Sequence, residues 1–521
     1  MRGYHKFRAA YQGMLCRKEI SRFSLRLLYK KEKRGKAMQE ANIVNGKKPL
    51  RDRLPVSTKM AYSLGTAVDM WGLWLYPAVA FAVFNMYLGI EPWLVGLGIT
   101  LIRVWDAFID PVVGWLSDNL RTKWGRRRPF ILISGILAGL CLPVLFLVSP
   151  SWVEIRFLGV SVVFWYMVVS TMVYMPIVSA FTIPYYSLGA EMTPDYEERT
   201  SIMSYRSMAQ KISELGNFYA LRFTNLAWFL IPGTGQKNTL LGMQVYTSIL
   251  GVVMAIFAIT IFFKVKERYY EKVVVKVTKK ISILSGLGET LRCHPFRQMM
   301  VMGGAFTLGT SMVGSLGYYA TVFYVAGGDK IIGDNWQFWM GVAFMLGGLI
   351  GVPLHAALSH RIGKREAAVS ACVIGICGYA GSWFLYTPAI MWLQTISSGL
   401  MGMASASLWM LHSSIGADII DYDELNTGKR REGSFTACAS YILKLGNSFG
   451  YYFSGLILTW AGFTWQLKAQ APQTLFWIRF SLASLPVAGL IVAIIFVLRV
   501  PLTRQKSEEI RRQLEGRRGT V

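Results

Sequence analysis

Long apolar stretches recur along nearly the whole chain and are separated by short polar segments. About 20 residues of α-helix are enough to cross the hydrocarbon core of a lipid bilayer, so stretches of this length are typical of transmembrane helices. The predicted spans are residues 61–88, 93–118, 130–149, 157–190, 205–231, 242–264, 297–325, 335–359, 367–387, 389–418, 436–461 and 474–500. The pattern predicts an all-α polytopic membrane protein with about twelve transmembrane helices.

Short motifs occur in the same order in the two halves of the chain. Gly189-Ala-Glu191 is followed by Leu215-Gly-Asn217, and the corresponding motifs Gly416-Ala-Asp418 and Leu445-Gly-Asn447 lie 227 and 230 residues later. Internal repeats of this kind are typical of transporters built from two helical bundles. The predicted domains are a basic tail (1–58), a six-helix bundle (59–264), a linker (265–296), a second six-helix bundle (297–500) and a C-terminal tail (501–521).

The positive charge is concentrated at one end and in a few loops. The chain of 521 residues has a formal net charge of +26, and residues 1–59 contribute 17 Lys/Arg and 4 Asp/Glu, or 17 − 4 = +13. The other basic clusters lie in loops 121–128, 264–280, 360–365 and 429–431, all on one side of the predicted topology. Because basic loops stay in the cytoplasm, both termini are predicted to be cytoplasmic. This distribution indicates membrane topology rather than a nucleic-acid partner. Met38 is an alternative start of the chain.

Three ionisable residues interrupt one of the apolar stretches. Arg103, Asp106 and Asp110 are spaced i, i+3, i+7 and share one face of a helix. A charge near the middle of a bilayer costs roughly 2.5–3.5 kcal/mol on insertion scales, so such residues face a protein interior or a wet cavity. One interpretation is the cation site of a transporter, and the other is an internal salt bridge between two helices.

Lys444 lies in an apolar stretch of the second half and needs a partner. Asp106 and Asp110 are the expected partners, across the interface between the two halves. Carboxylates can bind Na⁺ through their oxygens, and neighbouring carboxylates can also exchange a proton because they do not both ionise easily. Both Na⁺ and H⁺ therefore remain as coupling ions, and no further cofactor is expected.

A basic loop, Trp124-Gly-Arg126-Arg127-Arg128-Pro129, follows the second predicted span. Its arginines could bond Asp118 or the acids around Glu191 to Glu198, with Asp421 serving a matching contact in the second half. Such contacts would form a cytoplasmic gate, whereas the other interpretation is a charge cluster that only sets topology.

The chain contains no Walker A loop and no nucleophile–base pair, so neither an ATP-driven pump nor an enzyme is predicted. Several longer motifs point instead to one family of carriers. They are Trp105-Asp106-Ala-Phe-Ile-Asp110-Pro111, Trp124-Gly-Arg-Arg-Arg-Pro129, Ile183-Pro184-Tyr185, Arg199-Thr200 with Tyr205-Arg206, Ala417-Asp418-Ile-Ile-Asp421-Tyr422 and Lys444-Leu-Gly. Over about residues 59–500 the chain resembles the glycoside–pentoside–hexuronide:cation symporters, which are melibiose-permease-like members of the major facilitator superfamily.

The resemblance implies roles for several residues. Asp106 and Asp110 would bind the coupling cation, as metal ligands if the cation is Na⁺. Lys444 would lie beside them, and Ser179 stands where the family has a hydroxyl ligand.

The resemblance also implies sugar contacts from Asp69, Arg206 and Trp409, with Ser440 one turn before Lys444. Two positions depart from the family pattern. Thr182 stands where melibiose permease has a sugar-binding aspartate, and Tyr186 stands where it has a tryptophan.

The expected protein is therefore a monomeric, multi-pass carrier of the bacterial inner membrane. It would move a sugar or glycoside together with a cation by alternating access between the two bundles. Two alternatives remain at this point. One is a cation-coupled carrier of a lipid or other amphiphile, and the other is a non-transporting sensor on the same fold.

Overall fold

The computed structural model describes residues 53–119, 122–193, 196–231, 237–267, 290–428 and 432–518. The predicted N-terminal tail up to residue 52 and residues 268–289 of the predicted linker lie outside the described residues. The chain divides into two units. The described residues of the smaller unit are 53–55, 193 and 196–199. Within it, the backbone amide of Leu54 donates a 2.7 Å hydrogen bond to the carboxylate of Glu198. The larger unit comprises Val56–Met192 and Thr200–Val521.

The N-terminal half consists of helices α1 to α6. Their bounds are α1 Val56–Tyr87, α2 Pro92–Asn119, α3 Arg128–Cys141, α4 Val162–Glu191, α5 Tyr196–Phe223 and α6 Thr239–Lys264. Helix α3 continues as a 3₁₀ turn to Phe146. A short hairpin of β1 (Arg156–Phe157) and β2 (Val160–Ser161) precedes α4, with Arg156 paired to Ser161. The predicted start of this span at residue 157 is therefore wrong by five residues, because the hairpin takes up 156–161.

The C-terminal half consists of α7 to α12, followed by α13. Their bounds are α7 His294–Tyr319, α8 Lys330–Ile362, α9 Lys364–Leu385, α10 Leu393–Thr427, α11 Glu432–Trp460, α12 Pro472–Leu498 and α13 Arg504–Arg518. Helix α13 lies in the segment predicted as a C-terminal tail. Its Ile510 and Leu514 are buried in the same apolar cluster as Ile419 and Val497, so this segment is part of the folded C-terminal half.

Nine helices of the described chain are long and apolar enough to cross a membrane. Helices α5, α10 and α11 have 28, 35 and 29 residues but are not among the nine. Helices α5 and α11 carry charged residues such as Lys211, Glu214 and Lys444, whereas α10 is rich in serine and glycine, and both features lower hydropathy. The fold is thus an all-α membrane architecture.

Both halves begin with a helix that ends in the same way. Helix α1 finishes in π-helical turns at Phe81–Tyr87, and α7 is followed by π-helical turns at Ala320–Val325. Each is followed within three residues by a glycine with positive φ, Gly89 at 77° and Gly328 at 86°. The π-helical turns and the glycine after them therefore repeat in the two halves, as the sequence motifs do. Turns of this kind are frequent at functional sites.

Helices α2 and α11 cross between the two halves at glycines. A Cβ atom on Gly96 would lie 2.6 Å from the backbone oxygen of Tyr451, and one on Gly455 would lie 2.4 Å from that of Pro92. Small residues allow helix backbones in a membrane to approach this closely. The Thr100 hydroxyl donates a 2.8 Å hydrogen bond to the Ser448 carbonyl across the same crossing. This contact brings the charged face of α2 against α11.

Candidate functional site

Three helices place the predicted cation-site residues together. Helix α2 supplies Asp106 and Asp110 one turn apart on one face, α4 supplies Ser179, and α11 supplies Lys444. The Ser179 hydroxyl lies 3.0 Å from an oxygen of Asp106 and 2.9 Å from an oxygen of Asp110. The Lys444 ammonium lies 2.8 Å from the second oxygen of Asp106 and also donates to Asp110. The two carboxylates therefore share both a hydroxyl and an ammonium.

The two carboxylates differ in their access to solvent. Asp106 is 1% exposed, whereas Asp110 is 30% exposed and Lys444 is 27% exposed. Asp110 and Lys444 therefore form the accessible side of the cluster. An ion that enters would meet them before it reached Asp106.

Arg103 completes the charge balance of this cluster. Its guanidinium lies 4.0 Å from Asp106, donates a 2.8 Å hydrogen bond to the Leu73 carbonyl and stacks 4.9 Å from the centre of the Trp74 ring. With Arg103 and Lys444 positive and Asp106 and Asp110 negative, the formal charge of the cluster is zero. Within the described residues no three His, Cys, Asp or Glu side chains form a metal-binding group. The oxygen ligands here, two carboxylates and a hydroxyl, are the types that a hard cation such as Na⁺ prefers.

A second cluster surrounds Asp69 of α1, whose side chain is 1% exposed. Thr182 and Tyr186 of α4 donate hydrogen bonds of 3.0 and 2.7 Å to its two carboxylate oxygens. The Arg206 guanidinium of α5 lies 4.1 Å from the centre of the Tyr186 ring, and its Nε is buried without a partner. The two residues that depart from the family pattern are therefore the hydrogen-bond donors to Asp69.

A cavity of about 270 Å³ lies between the two halves. Trp74 of α1 and Phe218 of α5 line it from the N-terminal half, whereas the rest of its wall, including Trp409 of α10 and Asn447 of α11, comes from the C-terminal half. Asp69 and its partners are not among the lining residues. The structure thus brings Asp69, Thr182, Tyr186 and Arg206 together but places Trp409 on a different surface. Ser440 is exposed one turn before Lys444 and does not line the cavity.

The basic loop before α3 is held by an acid that the sequence analysis did not single out. The carboxylate of Glu267 accepts hydrogen bonds from the backbone amides of Arg126, Arg127 and Arg128, at 3.0, 2.7 and 3.1 Å. These amides lie at the start of α3, where backbone donors have no partner within the helix. The Glu267 carboxylate therefore caps the start of α3.

Among the other predicted gate residues, the Arg128 side chain contacts α6. The Arg128 side chain donates to the carbonyl of Phe262 at 3.1 Å and lies 4.7 Å from the centre of its ring. The side chain of Asp118 lies outside the described part of the chain, and Asp421 is half-buried on α10. In the second half, Lys364 and Asp418 form a 2.7 Å ion pair, which joins α9 to α10. In the sequence, Asp418 stands in a repeated motif and Lys364 in the basic loop 360–365, and their pairing is a finding of the structure.

Comparison with known proteins adds independent information. The family model described as MFS/sugar transport protein matches residues 63–504. The chain is 25% identical over 479 residues to the glucuronide carrier protein homolog of Escherichia coli (strain K12), covering 90% of this chain and 97% of that protein. It is 24% identical over 467 residues to the isoprimeverose transporter of Lactiplantibacillus pentosus, covering 87% and 89%. A crystal structure of a D-xylose-proton symporter shares the fold, with a TM-score of 0.57 at 13% identity over 86% of this chain and 98% of that one.

Proposed function

Because the chain belongs to the MFS/sugar transport protein family, we propose that it is a secondary symporter that couples a cation to a sugar or glycoside. The chain is a multi-pass inner-membrane sugar transporter and not an enzyme, as the family and the curated relatives indicate. The proposal adds the coupling cation, the residues that bind it, and a topology in which all twelve helices α1 to α12 cross the membrane with both termini cytoplasmic.

One observation carries the proposal: the single ammonium of Lys444, from the C-terminal half, is shared by two carboxylates of the N-terminal half. A cation that binds Asp106, Asp110 and Ser179 competes with the Lys444 ammonium for the same oxygens. Cation binding would therefore release a contact between the halves, and cation loss would restore it. In such an exchange, either the cation or the Lys444 ammonium lies beside the negative charges of the buried acids, so these charges keep a positive partner throughout.

Two structural features connect this cluster with the cavity. Lys444, Asn447 and Tyr451 share one face of α11 at i, i+3, i+7, and the last two line the cavity. On the other side, the Trp74 ring lines the cavity and stacks on Arg103. A solute in the cavity would thus lie next to Trp74, which stacks on Arg103, and next to residues one and two turns from Lys444 on α11. By linkage, solute and cation must each tighten the binding of the other by the same factor.

The contacts between the halves support an alternating-access cycle. Tyr319 donates a 2.5 Å hydrogen bond to Asn85, and Lys330 donates a 2.8 Å hydrogen bond to the Met86 carbonyl. Both contacts join the end of α1 to the end of α7 or the start of α8, which are extracellular in the proposed topology. In the proposed cycle they would close the outer side of the carrier.

Uptake into proteoliposomes tests the proposal. Wild-type protein should accumulate a labelled methyl glucoside against its gradient when either a Na⁺ gradient or a pH gradient is imposed, and the effective gradient identifies the cation. Asp110→Asn should lose accumulation, because one of the two negative charges of the cation site is gone. Asp329→Asn, at the N-cap of α8 where asparagine caps equally well, is the matched control. Uphill uptake that persists in Asp110→Asn would exclude this cation site.

A further inference from the structure

We propose that Arg222 binds the phosphodiester group of a phospholipid in the outer leaflet, at the seam where α5 of the N-terminal half meets α8 of the C-terminal half. The inference goes beyond the proposed function, from which it takes only the membrane topology. Its basis is a guanidinium that lies over aromatic rings at the end of α5 and has no acceptor or acid partner among the described residues.

The position of Arg222 puts its charge at the level of the lipid headgroups. Arg222 lies in the last turn of α5, and Trp228, in the short 3₁₀ turn that follows, is 86% exposed. Tryptophans of membrane proteins concentrate at the headgroup level, and a long basic side chain extends its charge toward the same layer. This end of α5 is extracellular in the proposed topology, so the layer is the outer leaflet.

Two rings of α8 support the guanidinium. Its central carbon lies 4.8 Å from the centre of the Phe338 ring and 5.8 Å from that of the Trp339 ring, which is 49% exposed. A ring face attracts the cation and leaves the N–H groups at the edge of the guanidinium plane available to other partners. Because Arg222 and these rings belong to different halves, a group bound to Arg222 lies at the seam.

The donors of Arg222 are open to a ligand. Its guanidinium makes no hydrogen bond or ion pair with the described residues, and none of its nitrogens is enclosed. The acids nearest in sequence on the two helices are already paired. Glu214 of α5 lies 2.9 Å from Lys211, and Asp334 of α8 lies 3.6 Å from Lys237. The described part of the chain therefore supplies no negative partner for this arginine.

Arg479 of α12 shows how a stacked arginine differs when the protein uses its donors. Its guanidinium lies 3.9 Å from the centre of the Tyr324 ring and 4.6 Å from that of the Trp383 ring. Its Nη2 donates a 2.5 Å hydrogen bond to the Trp383 carbonyl, and its Nε is enclosed. Arg479 thus joins α12 to α9, whereas the donors of Arg222 join no described element.

A lipid phosphodiester matches this open arginine. The planar guanidinium bonds two phosphate oxygens at once, and its charge balances the negative charge of the phosphate. An uncompensated cation beside the hydrocarbon layer is costly, and lipid phosphates are the anions that this layer always supplies. The acyl chains can also pack on the exposed part of Trp339, which a free phosphate ion cannot do.

Photocrosslinking of the purified full-length protein in detergent, at limiting lipid concentration, tests this site. The probe is phosphatidylglycerol with a diazirine next to its headgroup, and mass spectrometry maps the crosslinked peptides. Wild type should give crosslinks around Arg222 and Trp339. Arg222→Gln should reduce them at least tenfold, because charge-assisted hydrogen bonds to the phosphate are lost. Crosslinks in the cytoplasmic basic loops serve as the internal reference for folded protein.

Two further variants complete the design. Arg222→Lys keeps the charge without the planar fork and should reduce the outer crosslinks about threefold while the cytoplasmic crosslinks stay unchanged. Arg156→Gln is the matched control, because it removes an exposed arginine from the hairpin before α4, on the same side of the protein, and should crosslink like wild type. If Arg222→Gln fails to fold, Arg222→Lys decides between the outcomes.

Competition identifies the ligand. Excess unlabelled phosphatidylglycerol should abolish the outer crosslinks, whereas diacylglycerol, which lacks the phosphate, and inorganic phosphate should not. The inference is overturned if both Arg222 variants crosslink like wild type, if Arg156→Gln loses as much signal, or if diacylglycerol competes equally. Competition by inorganic phosphate at the same concentration would assign the site to a soluble anion and overturn the lipid. Because the assay needs neither solute nor cation, its failure leaves the symport proposal untouched.

Discussion

Replacing Lys444 by methionine should tighten cation binding and abolish net uptake at the same time. The substitution keeps the length of the side chain and removes the ammonium that bonds Asp106 and Asp110. In the proposed cycle of the wild-type protein, an entering cation displaces that ammonium. Breaking a buried ion pair costs about 3–5 kcal/mol, and we take the lower value, about 3 kcal/mol, because Lys444 and Asp110 are 27% and 30% exposed.

This magnitude sets the expected change in affinity. At about 1.4 kcal/mol per factor of ten, removal of a competitor worth about 3 kcal/mol should lower the cation Kd on the order of 100-fold. Net uptake should nevertheless be lost, because it requires the return of the empty carrier. Once the cation leaves, the two aspartates of the variant have no compensating ammonium, so the empty carrier cannot return across its cycle. Exchange of labelled for unlabelled solute needs no empty carrier and should continue in the presence of the cation.

Two measurements check this reasoning. The thermal stability of the protein, measured at increasing Na⁺ or Li⁺ concentrations, gives the cation Kd. Assays in proteoliposomes measure net uptake and exchange separately. Lys364→Met is the control, because Lys364 forms a comparable 2.7 Å ion pair with Asp418 and should leave the cation affinity unchanged. An unchanged or weaker cation affinity in Lys444→Met, or net uptake at the wild-type rate, would refute the exchange of lysine for cation.

Two further changes test the structural framework. Gly96→Val should lower the melting temperature and impair uptake, because its Cβ would lie 2.6 Å from the Tyr451 oxygen and force α2 away from α11. Circular dichroism melting checks this against Gly114→Val, on the same helix, where a Cβ atom would meet its nearest neighbour at 3.9 Å. A wild-type melt of Gly96→Val would contradict the close crossing. Glu267→Ala should destabilise the protein by about 1–3 kcal/mol, because three backbone amides at the start of α3 lose their acceptor; thermal melts against Glu154→Ala, in the loop between α3 and α4, measure the difference, and equal melts would show that other groups satisfy those amides.

Part of the candidate site could be predicted because charges in apolar stretches are costly. Asp106, Asp110 and Lys444 stand out by that criterion alone, and the charge balance already suggested their pairing. The structure brings them together at hydrogen-bond distances, with Ser179 between the two acids. Their role in cation binding stays a prediction, which the Asp110→Asn and Lys444→Met variants test.

The solute site was less predictable. Neutral polar and aromatic side chains are common in membrane helices, so the residues that line the cavity carry no signal in the sequence. Trp409 was expected beside Asp69, yet it lines a cavity of which Asp69 is not part. The role of Glu267 was unpredictable for a similar reason. The position of an acid in a basic linker does not reveal that its carboxylate accepts hydrogen bonds from three backbone amides of a distant loop.

The sequence by itself determined the membrane class, the approximate helices, the repeat and the small set of buried charges. These properties depend on local quantities, namely the length of apolar stretches and the cost of placing a charge within them. Only the tertiary structure decided which polar atoms share a cavity and which remain unpaired. Those relations depend on the distances between helices far apart in the chain, such as the close crossing of α2 and α11 at Gly96 and Gly455, which no local pattern specifies.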